Sequence, residues 1–211
     1  MMADQAVDGG RNGAQGARTV GLVLAAGAGR RLGLGAKALL RSGGATLVAR
    51  AVGALRGGGC APVLVVVGAQ GADVAAAVAA AGGRAVVNED WASGLASSFR
   101  HGVAAVPAET ARVVVTLVDQ PGVGAEVVAH LLERHRPGRI AAATYGDPDG
   151  ARHPMVFDAA LAHEAAALAE GDRGAREFLR RHPELLDLVD CTAFGSAADV
   201  DTPGDLHLLE R

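Results

Sequence analysis

The stretch from Val20 to Lys37 gathers the residue types that handle phosphate. An apolar run, Val20-Gly21-Leu22-Val23-Leu24, leads into Ala25-Ala26-Gly27-Ala28-Gly29-Arg30-Arg31-Leu32-Gly33, and Lys37 follows shortly after. Small residues let a ligand come close to the main chain and expose its N–H groups, while Arg31 and Lys37 supply cations for phosphate oxygens. The pattern predicts a loop for a nucleoside triphosphate. Two better-known phosphate loops fit less well. In G-x-G-x-x-G, Gly27 and Gly29 match, but Leu32 stands where a third glycine would let a helix pack closely. In G-x-x-x-x-G-K-[ST], Lys37 would need a following hydroxyl for magnesium, and Ala38 is there instead. These departures argue against a nicotinamide-dependent oxidoreductase and against a P-loop kinase or ATPase. For any one glycine the plain alternative is a turn, since the chain contains 30 of them.

Two further segments carry carboxylates. In Thr116-Leu117-Val118-Asp119-Gln120-Pro121 an acid leaves the end of an apolar run that Pro121 stops. Asp119 is placed to hold a hard cation such as Mg²⁺ through its oxygens, or else to serve as a turn or helix-cap residue. In Ala198-Asp199-Val200-Asp201-Thr202-Pro203-Gly204-Asp205, alternation puts Asp199 and Asp201 on one side of an extended chain. Thr202 can cap a helix that Pro203 opens. Either acid could complete a metal site, Asp201 being the stronger candidate, and Asp205 suits a helix N-terminus.

Positioning these residues requires alternating elements. Apolar strands are expected at Thr19–Leu24, Pro62–Val67, Arg84–Val87, Val113–Val118, Ile140–Tyr145 and Leu185–Val189. Helices are expected near Thr46–Arg56, Asp73–Ala81, Leu95–Val106, Gly124–Arg134, Asp158–Ala169, Ala175–Arg181 and Pro203–Glu210. Such alternation predicts an α/β fold, a Rossmann-like three-layer sandwich around a mostly parallel sheet. Ligands of such sheets bind beyond the strands' carboxyl ends, where Gly27, Asn88 and Asp119 would meet.

Composition narrows the functions. The 211 residues suffice for one well-buried domain, expected over 19–211 after a flexible lead-in at 1–18. A net charge of −3 and 3% aromatic residues leave neither a basic footprint nor stacking platforms for nucleic acid. No segment reads as a signal peptide or membrane anchor, and the expected place of action is the cytoplasm. Cys60 and Cys191 stand far apart with no zinc-ligand spacing, so both are expected as reduced thiols. Apart from His153, the histidines (His101, His130, His135, His163, His182, His207) show no paired ligand spacing and read as solvated helix positions.

The order of motifs resembles the MobA-like nucleotidyltransferases, in particular their molybdenum cofactor cytidylyltransferase branch. The resemblance rests on Leu24-Ala25-Ala26-Gly27 with Arg31 and Lys37, on Asn88-Glu89-Asp90-Trp91-Ala92-Ser93-Gly94-Leu95-Ala96-Ser97-Ser98, and on Asp119-Gln120-Pro121. It continues through His153-Pro154, Gly171-Asp172-Arg173-Gly174-Ala175-Arg176 and Asp201-Thr202-Pro203. It implies a Mg²⁺-dependent transfer of CMP from CTP to the terminal phosphate of molybdopterin, with release of pyrophosphate. Ala26 suits the cytidylyl branch, since guanylyl relatives, which use GTP, usually carry a glycine there.

By this resemblance Arg31, Lys37 and Asp119 are catalytic, and Asp119 with Asp201 or Asp199 holds the metal. Leu24, Ala25, Ala26, Gly27, Gly29, Asn88, Gly94 and Ser97 would frame the nucleotide. His153 and Arg176 would face the acceptor, although Arg152 occupies the place of the family's usual glycine. Ser97 and Ser98 could equally be capping residues, Trp91 a loop anchor, and Asp172 the N-cap of the helix that follows it. Other acceptors are weighed beside this reading, as are a nicotinamide-dependent oxidoreductase, a non-catalytic molybdenum cofactor carrier and delivery to a molybdoenzyme partner.

Overall fold

The computed structural model describes residues 18–147 and 152–210. The lead-in expected over 1–18 lies outside the described residues except for Arg18. The chain runs β1 (Thr19–Leu24), β2 (Arg41–Ser42), β3 (Ala45–Thr46), α1 (Leu47–Gly57), β4 (Val63–Val67), α2 (Gly71–Ala80), β5 (Arg84–Val87) and α3 (Leu95–Ala104). It continues β6 (Arg112–Leu117), α4 (Ala125–Arg134), β7 (Ile140–Thr144), β8 (Met155–Asp158), α5 (Ala159–Ala167), α6 (Arg176–Arg181) and β9 (Leu186–Asp190).

Seven strands form one sheet in the order β5-β4-β1-β6-β8-β7-β9, and β2 and β3 pair in a separate hairpin. Every neighbour in the large sheet is parallel except β8, which runs antiparallel to both β6 and β7. The α/β expectation is met, and β8 is an addition to it. Its four residues follow Pro154 directly and merge into an alanine-rich helix, so no turn separates them as a strand in the sequence. The helix expected at Pro203–Glu210 is a 3₁₀ segment, Pro203–Leu209.

Alternation of side chains along buried strands builds two cores. Val23 of β1 and Val63, Val65 and Val67 of β4 face α1, α2 and α4, meeting Val48, Val52, Val74, Val78, Val127 and Leu131. Val20, Leu22 and Leu24 of β1, with Leu64 and Val66, face α3, α5 and α6, meeting Phe99, Val103, Ala162, Ala165 and Phe178. All six residues of β1 and all five of β4 are buried, as expected of strands covered on both faces. Among the described residues, no helix is long and apolar enough to cross a membrane.

From β1 the chain winds outward to β4 and β5, then returns to place β6 on β1's other side. The order therefore reverses between β1 and β6, and a crevice opens beyond their carboxyl ends. The glycine-rich loop leaves β1 there, and Asp119 leaves β6 beside it.

Candidate active site

The loop after β1 is pinned in shape. Gly29 has φ +61°, and a Cβ on it would lie 2.3 Å from the Gly35 carbonyl oxygen, so both the backbone conformation and the space demand glycine. Leu32 and Gly33 each donate a backbone N–H to the Gly29 carbonyl at 3.1 Å, folding residues 29–33 into a turn. Gln70 Oε1 accepts from the Ala36 N–H at 2.6 Å and fastens the far end of the loop. A short 3₁₀ turn, Lys37–Leu39, follows.

That turn directs Lys37 across the crevice. Its Nζ donates to Asp119 Oδ2 at 2.8 Å and also to Asp201 Oδ1. Arg31 Nη2 reaches the other oxygen of Asp201 at 2.7 Å while its own side chain stays 72% exposed. Burial pulls the Lys37 ammonium down, but Asp119 and Asp201 outweigh it and hold its pKa above the ordinary value. The hydrogen bond from Lys37 in turn keeps the Asp201 carboxyl below its usual range.

Asp199 is engaged differently. Its Oδ1 accepts from Gln120 Nε2 at 2.9 Å, and burial together with the charges of Asp119 and Asp201 pushes its pKa up, against the pull of the Gln120 bond. The Val200 N–H donates to the Asp119 carbonyl at 2.9 Å, so the C-terminal segment is laced onto the loop after β6. Asp205 accepts from the backbone N–H groups of Asp201 and Thr202 at 3.1 and 2.7 Å, completing the helix start expected there. Among the described residues, no group of three or more His, Cys, Asp or Glu side chains is arranged to hold a metal ion. Asp119 and Asp201 remain as two carboxylates that converge on Lys37 Nζ, and one or two carboxylates are what a magnesium ion takes when phosphate oxygens and water complete its shell.

These groups line a cavity of about 600 Å³ together with Leu24, Ala26, Gly27 and Gly94. Ala25, Asn88 and Ser97 do not line it. Ala25 is 2% exposed within the core. Asn88 is fully buried and donates from Nδ2 to Ser97 Oγ at 2.9 Å and Ser98 Oγ at 3.2 Å, so Asn88 and Ser97 shape the wall from behind. Trp91 both lines the cavity and packs on Gly68, where a Cβ would lie 2.5 Å from its side chain.

A second cavity of about 930 Å³ adjoins the first, and Leu24, Asp172 and Asp199 border both. It is lined by Arg152, His153, Arg173 and Arg176, and on its apolar side by Phe99, Met155 and Phe157. Burial and the neighbouring Arg176 lower the His153 pKa to about 4, which leaves the imidazole neutral at pH 7. His135 departs from its expected solvated position: its side chain is 3% exposed, with Nε2 at 3.0 Å from the Arg139 carbonyl and 3.5 Å from Asp158. Cys60 and Cys191 are free and buried.

Fold and site together define an α/β protein with a charged crevice at the strand-order reversal. The MobA-like NTP transferase domain matches residues 21–185, and the chain belongs to that family. Nicotine blue oxidoreductase of Paenarthrobacter nicotinovorans is 46% identical over 194 residues, covering 90% of this chain and 95% of that protein. A nucleotidyl transferase from Methanothermobacter thermautotroptrophicus superposes with a TM-score of 0.80 at 22% identity, over 92% of this chain and 97% of the other. Rv0371C of Mycobacterium tuberculosis H37Rv, crystallised in complex with manganese, superposes with a TM-score of 0.72 at 29% identity, over 91% and 97%.

Neither Gln70 nor Gln120 carries a local sequence signal for these supporting roles. Gln70 at φ +51° is the one non-glycine residue with positive φ among the described residues, and nothing local marks it.

Proposed function

We propose that the protein transfers CMP from CTP to the terminal phosphate of molybdopterin in a Mg²⁺-dependent reaction that releases pyrophosphate. The observation that carries this reading is Lys37, whose ammonium is held between Asp119 and Asp201 at the foot of the glycine-rich loop. The family supports nucleotidyl transfer, and the manganese complex of a relative supports a divalent cation. The alanine at Ala26 supports cytidine over guanosine. A molybdoenzyme that receives the product, in the cytoplasm, completes the proposal.

In this reading the first cavity takes the nucleotide. Ala26 and Gly27 let base and ribose lie against the main chain, and Arg31 and Lys37 hold the triphosphate. The acceptor occupies the second cavity, its phosphate drawn by Arg176 and hydrogen-bonded by neutral His153. A phosphate oxygen attacks the α-phosphorus, the bond to the bridging oxygen breaks, and its electron pair leaves with pyrophosphate. A phosphate nucleophile is already deprotonated at neutral pH, so catalysis is positioning and charge neutralisation rather than proton removal. Lys37 stabilises the charge that grows on the departing group. Asp119 and Asp201 would hold the metal, which when bound neutralises phosphate oxygens.

The name of the 46% identical relative favours a second reading, an oxidoreductase, for which a nicotinamide cofactor would be the reductant. Against it, the loop after β1 forms turns and a 3₁₀ segment where a dinucleotide fingerprint would open a helix. The discriminating experiment incubates the protein with Mg²⁺, molybdopterin and CTP, GTP or ATP, following pyrophosphate and product mass. NADH and NADPH oxidation is followed in parallel. CTP-dependent release of pyrophosphate with a cytosine dinucleotide product is expected. Release with GTP alone would overturn the base assignment. Release only with a different phosphorylated metabolite would overturn the acceptor. Cofactor oxidation without any release would establish the reductase, and ligand retention without turnover the carrier.

A further inference from the structure

We propose that Asp172 is a positioning residue that joins the walls of the two substrate cavities. Helix α3 begins after Gly94, which has no side chain to cap it. Its first N–H groups are met from elsewhere in the chain. Leu95 N–H donates to Asp172 Oδ1 at 3.3 Å across 77 residues, and Ala96 N–H donates to the Gly171 carbonyl at 2.9 Å. A carboxylate at a helix N-terminus also opposes the positive end of the helix dipole. Gly94 permits the approach: it has φ +117°, and a Cβ there would lie 2.6 Å from both Asp172 Oδ1 and the Gly171 carbonyl oxygen. Asp172 therefore does not cap the helix that follows it. Ala175 precedes α6 and makes no side-chain cap.

The tie lies where the cavities meet. Gly94 and Ser98 wall the first cavity, Arg173 and Arg176 the second, and Asp172 and the residue it holds, Leu95, border both. Fixing Asp172 to α3 thus sets the register of the acceptor-side arginines against the nucleotide-side wall. A transfer between two bound substrates is sensitive to such register, because small misplacements of reacting groups slow it steeply. Which cavity holds donor and which acceptor rests on the proposed function, whereas the tie does not.

The test uses the full chain with Asp172→Ala and Asp172→Asn. Amide hydrogen exchange at Leu95 and Ala96 is measured together with KM for CTP and molybdopterin, and with CTP affinity by calorimetry. Asp172→Ala is expected to speed exchange at these amides about tenfold, the loss of one cap. It should also raise both KM values together and weaken CTP binding. Asp172→Asn, which keeps an acceptor oxygen, should restore all three. Unchanged exchange, a change in one KM alone, or an asparagine variant no better than alanine would overturn the proposal. If the wild-type protein turns over no nucleotide, the proposed function falls, and exchange with CTP affinity decides the tie: both must change in the alanine variant and recover in the asparagine variant. Should the alanine variant not fold, Asp172→Ser, whose shorter side chain withdraws the oxygen, replaces it.

Discussion

Lys37 is the residue on which the site most depends, because it separates two carboxylates that would otherwise face each other. Replacing it by methionine leaves Asp201 with Arg31 as its compensating cation and removes the cation that pairs with Asp119. Turnover in the pyrophosphate assay should fall by about 10²–10³, the range for removing a preorganised charge-stabilising group. Asp119→Asn should abolish metal-dependent turnover while circular dichroism and thermal unfolding stay near wild type, since this side chain stands 20% exposed at the cavity edge. Unaltered turnover would remove Asp119 from the metal site. His153 makes a prediction about pH. Its folded pKa of about 4 lies below the ordinary histidine value of about 6.5, so the unfolded chain binds more protons between these limits. Its contribution to stability is complete above the unfolded value, declines as pH falls through that window, and falls no further below about 4. Denaturant unfolding of His153→Gln should therefore lose part of the stability change between pH 7 and 4; an identical slope would show that another group carries it. Lys37, Asp119 and Asp201 were legible in the sequence because charged residues among small or apolar ones mark themselves. Gln120 stood inside a recognised motif, but its grip on Asp199 joins residues 79 apart and has no local signature.

The supporting elements carry their own consequences. Asn88 closes the end of β5 onto α3 through Ser97 and Ser98, and its Oδ1 also accepts from the Asp90 N–H at 3.0 Å. Asn88→Ala should cost about 1–3 kcal/mol in chemical denaturation, since it leaves buried partners unsatisfied. A substitution that lowered CTP affinity without lowering stability would instead argue for direct nucleotide contact. Gln70→Ala should loosen the glycine-rich loop at Ala36, raise KM for CTP and lower stability by about 1–3 kcal/mol, since the N–H of buried Ala36 loses its acceptor. The major strands could be read from runs of Val, Leu and Ile bounded by small residues, which is how a sheet covered on both faces announces itself. The β2–β3 hairpin is too short for any periodicity to emerge. Likewise, β8 could not be separated from the helix it precedes, and its antiparallel direction follows from pairing with β6 and β7 rather than from its own four residues.

Over the whole chain, the two cores follow from alternation and the crevice from strands that end on one edge, while of its second cavity only the joint placing of His153 and Arg176 is legible in the sequence, and that by resemblance. That cavity is assembled from the loop before β8, from α3 and from α6, segments that local patterning treats as unrelated. What brings the chemistry together is the most distant of the site's contacts, Arg31 to Asp201 across 170 positions, with Lys37 meeting the same carboxylate across 164. During synthesis, the glycine-rich loop and Asp119 emerge from the ribosome well before Asp201. The strands that flank the crevice, β1, β4 and β6, and the loop after β1 all precede the second carboxylate in the chain. Lys37 therefore meets both carboxylates only once the segment that carries Asp201 has folded back over the crevice.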